Sequence, residues 1–517
     1  MGQRFENPVA VLGDRLRAGS LYKLLADEGH RLFPDSYFAD LFTGSVKGRP
    51  TVPARVMATV MVLQAFEGLS DREACDRLAV DLRWQAAAGV DVGAESFHPT
   101  LLVAQRNRLR DKGRDRRMFD DTRVVALASG VLKGRARVLD STAIYDAVAT
   151  EDTVTQLRAA LRKLLAVLDL SDSALGGRVR AVLTRDDAYA TAGKPPCDWE
   201  DPVAREALVD ALVRDCLAAL KVLDGVELVG AVKAAAELLA LVAGQDVAAG
   251  DDQVFRIVKG VAKDRVISTV DTEARHGHKS RNRRFDGYKG HVSIDPDSEL
   301  IDAVAATPAN TADHDVVAEL LAPVADAEVK PVVLADSAYA DGATREALDD
   351  AGFELVSKCP PVRNTTGGFT KDLFDVNLDD NTVTCPAAKT VAIRFSVAGD
   401  SKASFKPYCA HCPLRAQCTP SKRGRTIAIH PQEKLLQRAR LEQVDPEWQA
   451  RYRADRPKVE RKIAHLMARW WGGRYARVRG RARVATDFAT RAAAINLARL
   501  AVLGLTHGTD GWAVAAS

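Results

Sequence analysis

The sequence predicts an α/β protein: a mixed sheet flanked by helices, preceded by a helical unit and interrupted by two insertions, one helical and one rich in cysteine. Three observations predict it. Two short apolar runs, Arg137-Val138-Leu139 and Pro331-Val332-Val333-Leu334-Ala335, each stop abruptly at an aspartate, Asp140 and Asp336. Runs this short, aliphatic and β-branched read as buried central strands with the acid at the exposed end. Between them, Phe285 to Ile294 alternates in character as a strand does. Long stretches before and between these runs carry apolar residues at the helical period.

With 517 residues the chain is too long for one ordinary core and divides into about three or four units by the usual domain size. The 47% hydrophobic share is that of a globular protein. No uninterrupted apolar run approaches the roughly 18 to 20 residues that cross a bilayer, so no membrane partner is expected. The opening residues, Met1 to Glu6, hold no apolar stretch of a signal peptide, and the default address is the cytoplasm. Eight cysteines in so long a chain do not suggest a disulfide framework. A net charge of +4 permits a nucleic-acid partner, and the clustering of the basic residues decides whether there is one.

Residues 1–130 read as helical. Val56, Met57, Val60, Met61 and Phe66 recur at helical spacing after Pro53, and Gly68 follows. Ser70-Asp71-Arg72-Glu73 is a capping box opening a helix with Ala74, Leu78 and Leu82 on one face. Two helices joined through Gly-Leu-Ser suggest a DNA-contacting helix-turn-helix, with Arg106, Arg108 and Arg110 within reach of phosphates, or a packing and dimerising unit. After the Asp140 strand, residues 148–250 form a helical insertion, with Leu157, Leu161, Leu164, Leu165 and Leu168 as one stripe and Leu208, Leu212, Cys216 and Leu220 as another.

The strand through Gly287-Tyr288-Lys289-Gly290-His291 turns at Asp295-Pro296-Asp297-Ser298 and returns over Leu300 to Ala305. A helix through Val316, Leu320 and Leu321 leads to the Asp336 strand, a helix near 344–350 and a strand over Phe353 to Val356. This order of elements, with its core at 131–147, 251–358 and 430–505, is that of an RNase H-like fold.

The chain resembles the DDE transposases of bacterial insertion sequences, in particular the group with a cysteine-rich insert. The resemblance rests on Leu139-Asp140-Ser141-Thr142, Gly287-Tyr288-Lys289-Gly290-His291, Thr307-Pro308-Ala309-Asn310 with Asp313, Ala335-Asp336-Ser337-Ala338-Tyr339, and Arg456-Pro457-Lys458-Val459-Glu460-Arg461. It implies that Asp140, Asp336 and Glu460 hold two divalent ions. It also implies double-stranded DNA partners, namely the element's terminal inverted repeats and a target, and a homodimer in a synaptic complex at the nucleoid. Cutting a phosphodiester in line needs an activated attacking oxygen and a stabilised leaving oxygen. Two metals about 3.5 to 4 Å apart serve both, and an all-oxygen donor set suits Mg²⁺ or Mn²⁺.

Tyr452, Arg456 and Glu460 recur every fourth residue, so one continuous helix would set a phosphate-binding Arg beside the Glu. Pro457 argues instead for a helix that begins near Asp455. Where many relatives hold a Tyr three residues before the Arg and a Lys seven after the Glu, this chain has Arg453 and Met467, with Tyr452 and Arg469 the nearest substitutes.

The insertion at 359–429 carries Cys385, Cys409, Cys412 and Cys418. These are either four ligands of a structural Zn²⁺ or a set of reduced thiols. Downstream, Arg469, Arg474, Arg477, Arg479, Arg481 and Arg483 interleave with Trp470, Trp471 and Tyr475, a composition that grips DNA phosphates with little regard for sequence. Tyr288, Lys289 and His291 are further expected DNA contacts. Two other readings fit the same residues: a turnover-free DNA-binding descendant of such an enzyme, and an RNase H-like nuclease that cleaves without strand transfer.

Overall fold

The computed structural model describes residues 7–42, 51–146, 148–185, 187, 189–260, 262–280, 282–364, 367–396, 401–468 and 473–515. Its main sheet runs Ile301–Pro308, Arg283–Ile294, Ala136–Tyr145, Val332–Ala335, Leu355–Ser357 from edge to edge. Among the first three each strand is antiparallel to its neighbour, and the last two run parallel to Ala136–Tyr145. A further strand, Arg275–Ser280, pairs with the opening half of Arg283–Ile294. The charge of Arg275, His276, His278 and Lys279 hides it from a reading based on hydrophobic alternation.

The first strand does not end at Asp140, contrary to the expectation. It continues to Tyr145, and Ser141 to Tyr145 pair with His291 back to Gly287. A small polar pair is no strand terminator when an antiparallel neighbour takes up every backbone group, so Asp140 sits in mid-strand. Only the parallel partner on its other side stops short.

Each face of the sheet is covered, and the alternation of the strands decides what lies where. Val138, Ile144, Tyr288 and Val292 belong to one large core with Val459 and Ile463 of the helix Pro446–Leu466 and Phe488 and Ala492 of the terminal helix Arg481–Val502. Leu139, Ala303, Ala305 and Val333 pack on the other face against Val316, Val317 and Leu320. Gly290 has a packing reason: a Cβ there would lie 2.7 Å from the Phe488 ring. Gly287 adopts φ +131°, which a side chain disfavours, where the chain passes the Ile144 carbonyl.

The helix Ala54–Glu67 closes on Gly68 in the left-handed region, and Ser70 and Glu73 form the expected capping box. The helix so capped ends at Val80, and Leu82 opens the next, Leu82–Ala88, rather than extending the apolar face. Residues Val56 to Ala65 are buried all round, packed with the terminal helix in the same core that underlies the sheet. The helical insertion, by contrast, has a core of its own. Helices Thr153–Ser171, Ser173–Ala181, Pro202–Leu223 and Gly230–Gln245 enclose Leu157, Leu161, Leu212, Cys216 and Leu239. The cysteine-rich insertion holds a further, small core of Phe374, Val383, Phe405 and Ile427 between short strands. Among the described residues no helix is long and apolar enough to cross a membrane.

Candidate active site

Strand register brings the two aspartates together. Val138 pairs with Leu334 in the parallel ladder. Asp140 lies two residues beyond Val138 and Asp336 two beyond Leu334, so parallel neighbouring segments carry both toward the same end and the same face of the sheet. Both aspartates point to the side of the Pro446–Leu466 helix. Asp336 leaves the sheet there: its Oδ1 accepts the Ala338 amide at 2.9 Å and caps a short turn, Ser337–Tyr339. Asp140 Oδ1 accepts the Ser141 amide at 2.8 Å.

That helix is continuous from Pro446 to Leu466, with Asp445 as its N-cap and Pro457 in its interior. The expectation of a start near Asp455 is therefore corrected. The proline costs one backbone bond, and the burial of Trp448, Arg456, Val459, Ile463 and Leu466 along the helix outweighs it. Because the helix is unbroken, Tyr452, Arg456 and Glu460 share one face. Tyr452 stacks on Trp448 with ring centroids 5.3 Å apart and planes 4° off parallel. Arg453, at the place where many relatives hold Tyr, is exposed and bonds Gln449 instead. Met467 is buried.

Arg456 corrects the simple picture of a phosphate-binding arginine. It is buried, and its Nη2 lies 3.1 Å from Asp140 Oδ1 while its Nη1 lies 3.5 Å from Glu460 Oε1. Burial works against its charge, yet Asp140, Tyr452, Asp336 and Glu460 outweigh that and hold its pKa above the usual guanidinium value. Burial raises the Asp140 carboxyl pKa, Arg456 pulls it back, and Asp336 pushes it up again. The protein thus meets the mutual repulsion of its acids with an internal cation.

Among the described residues no group of three or more Asp, Glu, His or Cys side chains is drawn into metal-holding geometry. The donors nevertheless suit hard cations: all are carboxylate oxygens, two sit on adjacent strands, and the third, Glu460, is largely exposed and free to move. Arg456 stands between Asp140 and Glu460.

The other expected contacts divide. Tyr288 and His291 are fully buried and cannot meet DNA from their strand. Tyr288 donates to Asp271 at 2.6 Å. His291 joins Tyr339 and Thr307, each at 2.9 Å, and burial lowers its pKa to about 4. Lys289 is tied to Asp313 at 2.8 Å, and Ser141 bonds the same carboxylate at 3.1 Å. Asp313 therefore organises the underside of the site, which no spacing in the sequence announces. Alternation shows which residues share a face but not whether a helix covers it, and here helices cover both.

Of the basic run, Arg474 reaches the Thr142 hydroxyl on the first strand, next to Asp140. Arg477 holds Asp487 at 2.7 Å and the Leu69 carbonyl at 3.1 Å. Arg479, Arg481 and Arg483 are exposed, as is Tyr475. Arg469, Trp470 and Trp471 lie outside the described residues. Arg477 and Arg483 line an open cleft of about 680 Å³ with Arg106 and Arg110 and the Gly68-Leu69-Ser70 turn.

Four of the five cysteines in residues 359–429, namely Cys385, Cys409, Cys412 and Cys418, line one cavity of about 20 Å³. The Arg425 amide donates to Cys409 Sγ at 3.4 Å. Burial raises the Cys418 thiol pKa, Arg425 lowers it, and Cys409, Cys412 and Cys385 add to the rise.

A sheet of this order, with two acids on adjacent inner strands and a third on a helix laid across them, defines an RNase H-like protein. Two family models match the chain, Transposase DDE domain over residues 384–501 and Transposase domain (DUF772) over residues 15–108. Both descriptions are of transposase domains, and together they support a DDE transposase of the insertion-sequence type. No curated protein and no solved structure matches it.

Proposed function

We propose that this transposase cleaves DNA at the terminal inverted repeats of an insertion sequence and joins the cut ends to a target. The observation that carries the reading is the parallel ladder that ends at Val138 and Leu334, which brings Asp140 and Asp336 out two residues further on along neighbouring segments beneath the Glu460 helix. Asp140, Asp336 and Glu460 would hold two Mg²⁺ or Mn²⁺ ions, which supply charge stabilisation for in-line displacement at phosphorus. The sheet fixes the two aspartates, and Glu460, largely exposed and, among the described residues, tethered only to Arg456, closes on them. Arg456 keeps the acids ionised and assembled until the ions arrive, and its freed guanidinium then faces the DNA backbone. Arg474, Arg479, Arg481 and Arg483, with Arg106 and Arg110 across the 680 Å³ cleft, form the DNA-gripping surface. Two element ends call for two active centres, and a homodimer in the synaptic complex supplies them.

Joining separates this reading from that of a simple nuclease. A duplex pre-cut at the element end, incubated with target DNA and Mg²⁺ or Mn²⁺, is expected to give a covalent end–target product. Cleavage of the same DNA with no joined product would leave a nuclease only.

The cysteine cavity supports one structural Zn²⁺ held by Cys385, Cys409, Cys412 and Cys418. Four cysteines lining one small cavity, one of them already accepting an amide hydrogen, are the donor set of a tetrahedral thiolate site, which a modest inward turn of the side chains would complete. The small core beside them gives the insert little other stability. Elemental analysis of purified protein is expected to give about one zinc per chain, falling severalfold in Cys412→Ser. Equal metal content in the two proteins would sink the assignment.

A further inference from the structure

On the far side of the Pro446–Leu466 helix the chain builds a second polar concavity. An open cleft of about 570 Å³ is walled by Arg461, Lys462 and His465 of that helix, by Arg499 of the terminal helix and by Phe66 of the N-terminal unit. Glu299 is the single carboxylate on its wall among the described residues. Lys462 lies two residues past Glu460, about 200° around the helix, so this cleft opens away from the three acids.

Lys462 is only 5% exposed. Among the described residues, no acceptor lies within hydrogen-bonding distance of its ammonium and no carboxylate within ion-pair distance. The nearby acid is already taken, since Arg461 holds Glu299 at 2.8 Å. Arg499 Nε is directed at the Ser298 carbonyl at 2.9 Å, which leaves the rest of its guanidinium for a ligand. Lys462 thus shares its one nearby carboxylate with Arg461, which leaves positive charge in excess at the cleft wall, and an anion there would balance it. Donors converging from Lys462, Arg461 and Arg499 suit an anion with several oxygens and more than one charge better than a single carboxylate.

We infer that this cleft is a phosphate-binding site, separate from the acid centre, with Lys462 as its buried anchor. The phosphate belongs either to a DNA backbone passing behind the catalytic helix or to a small free phosphate compound. The first source rests on the transposase reading above, and the second does not.

Pyrophosphate, titrated into the metal-free full-length protein at constant ionic strength, is the probe. It is expected to raise Tm by a few degrees, as a ligand specific to the native state does. Lys462→Met, which keeps the apolar stem, is expected to weaken pyrophosphate at least about tenfold, and Glu299→Gln to tighten it. Binding of a plain duplex across a salt series then identifies the source. A backbone contact lowers the salt slope of Lys462→Met by about one. An unchanged slope together with lost pyrophosphate binding assigns the site to a free phosphate compound. Should Lys462→Met fail to fold, Arg499→Gln carries the same measurements. Equal pyrophosphate response in wild type and variant, or none in either, overturns the site. These readouts use neither divalent metal nor cleavage, so their failure leaves the acid centre untouched, and failure of cleavage leaves them intact.

Discussion

Asp336→Asn is expected to slow metal-dependent nicking of a duplex carrying an element end by about a thousandfold or more, equivalent to about 4 kcal/mol of lost transition-state stabilisation. The protein should fold as before. Asparagine keeps the Oδ1 that accepts the Ala338 amide, so the turn after the strand survives. What disappears is one full negative charge beside Asp140, whose carboxyl pKa is already raised by burial and by Asp336 itself. Loss of that repulsion leaves Asp140 easier to ionise, and a small rise in Tm is the companion expectation. A gel assay with Mg²⁺ or Mn²⁺ beside a thermal melt reads both quantities. If wild type and variant nick at the same rate, the acids are not the reactive centre and the chain is a DNA-binding descendant only.

The second large effect is on stability. Asp302 is fully buried on the Ile301–Pro308 strand, where it accepts Arg137 Nε at 2.6 Å and Arg123 Nε at 2.7 Å. Arg137 is itself only 2% exposed and lies three residues before Asp140 on the first strand. Asp302→Ala strands that guanidinium without a counter-charge, at an expected cost of about 3–5 kcal/mol. A typical domain has only about 5–15 kcal/mol of stability in all. Denaturant midpoints should show the loss, and Arg137→Met should restore much of it in the double variant, because the two side chains are coupled. Additive losses would mean that the pair contributes nothing as a pair.

Much of this architecture is legible in the residues. The apolar runs before Asp140 and Asp336 predict buried strands, and the four-residue spacing of Tyr452, Arg456 and Glu460 predicts a shared helical face. The capping box at Ser70 needs only local chemistry. What escapes is what depends on distant partners. Ser141 and Thr142 look like the end of a strand until Gly290 and His291 are known to lie opposite. Pro457 reads as a helix start because propensity sees no tertiary packing to outweigh it. Tyr288, Lys289 and His291 look like a polar, DNA-facing motif. Their partners Asp271, Asp313, Tyr339 and Thr307 sit elsewhere in the chain and turn the motif inward. The arginine between the acids was foreseen at its position but not in its role, since a spacing shows adjacency and not the direction of the guanidinium.

The helical insertion also bears on how the molecule comes into being on the ribosome. The first strand must wait for residues 283–294 before it has an antiparallel neighbour, and a floppy tether of that length would keep the two apart at an entropic penalty. A bundle with its own core can fold during synthesis and shorten the tether to the separation of its own two ends. The helix Arg481–Val502, buried against sheet and N-terminal unit alike, emerges only after Asp140, Asp336 and Glu460 have been made.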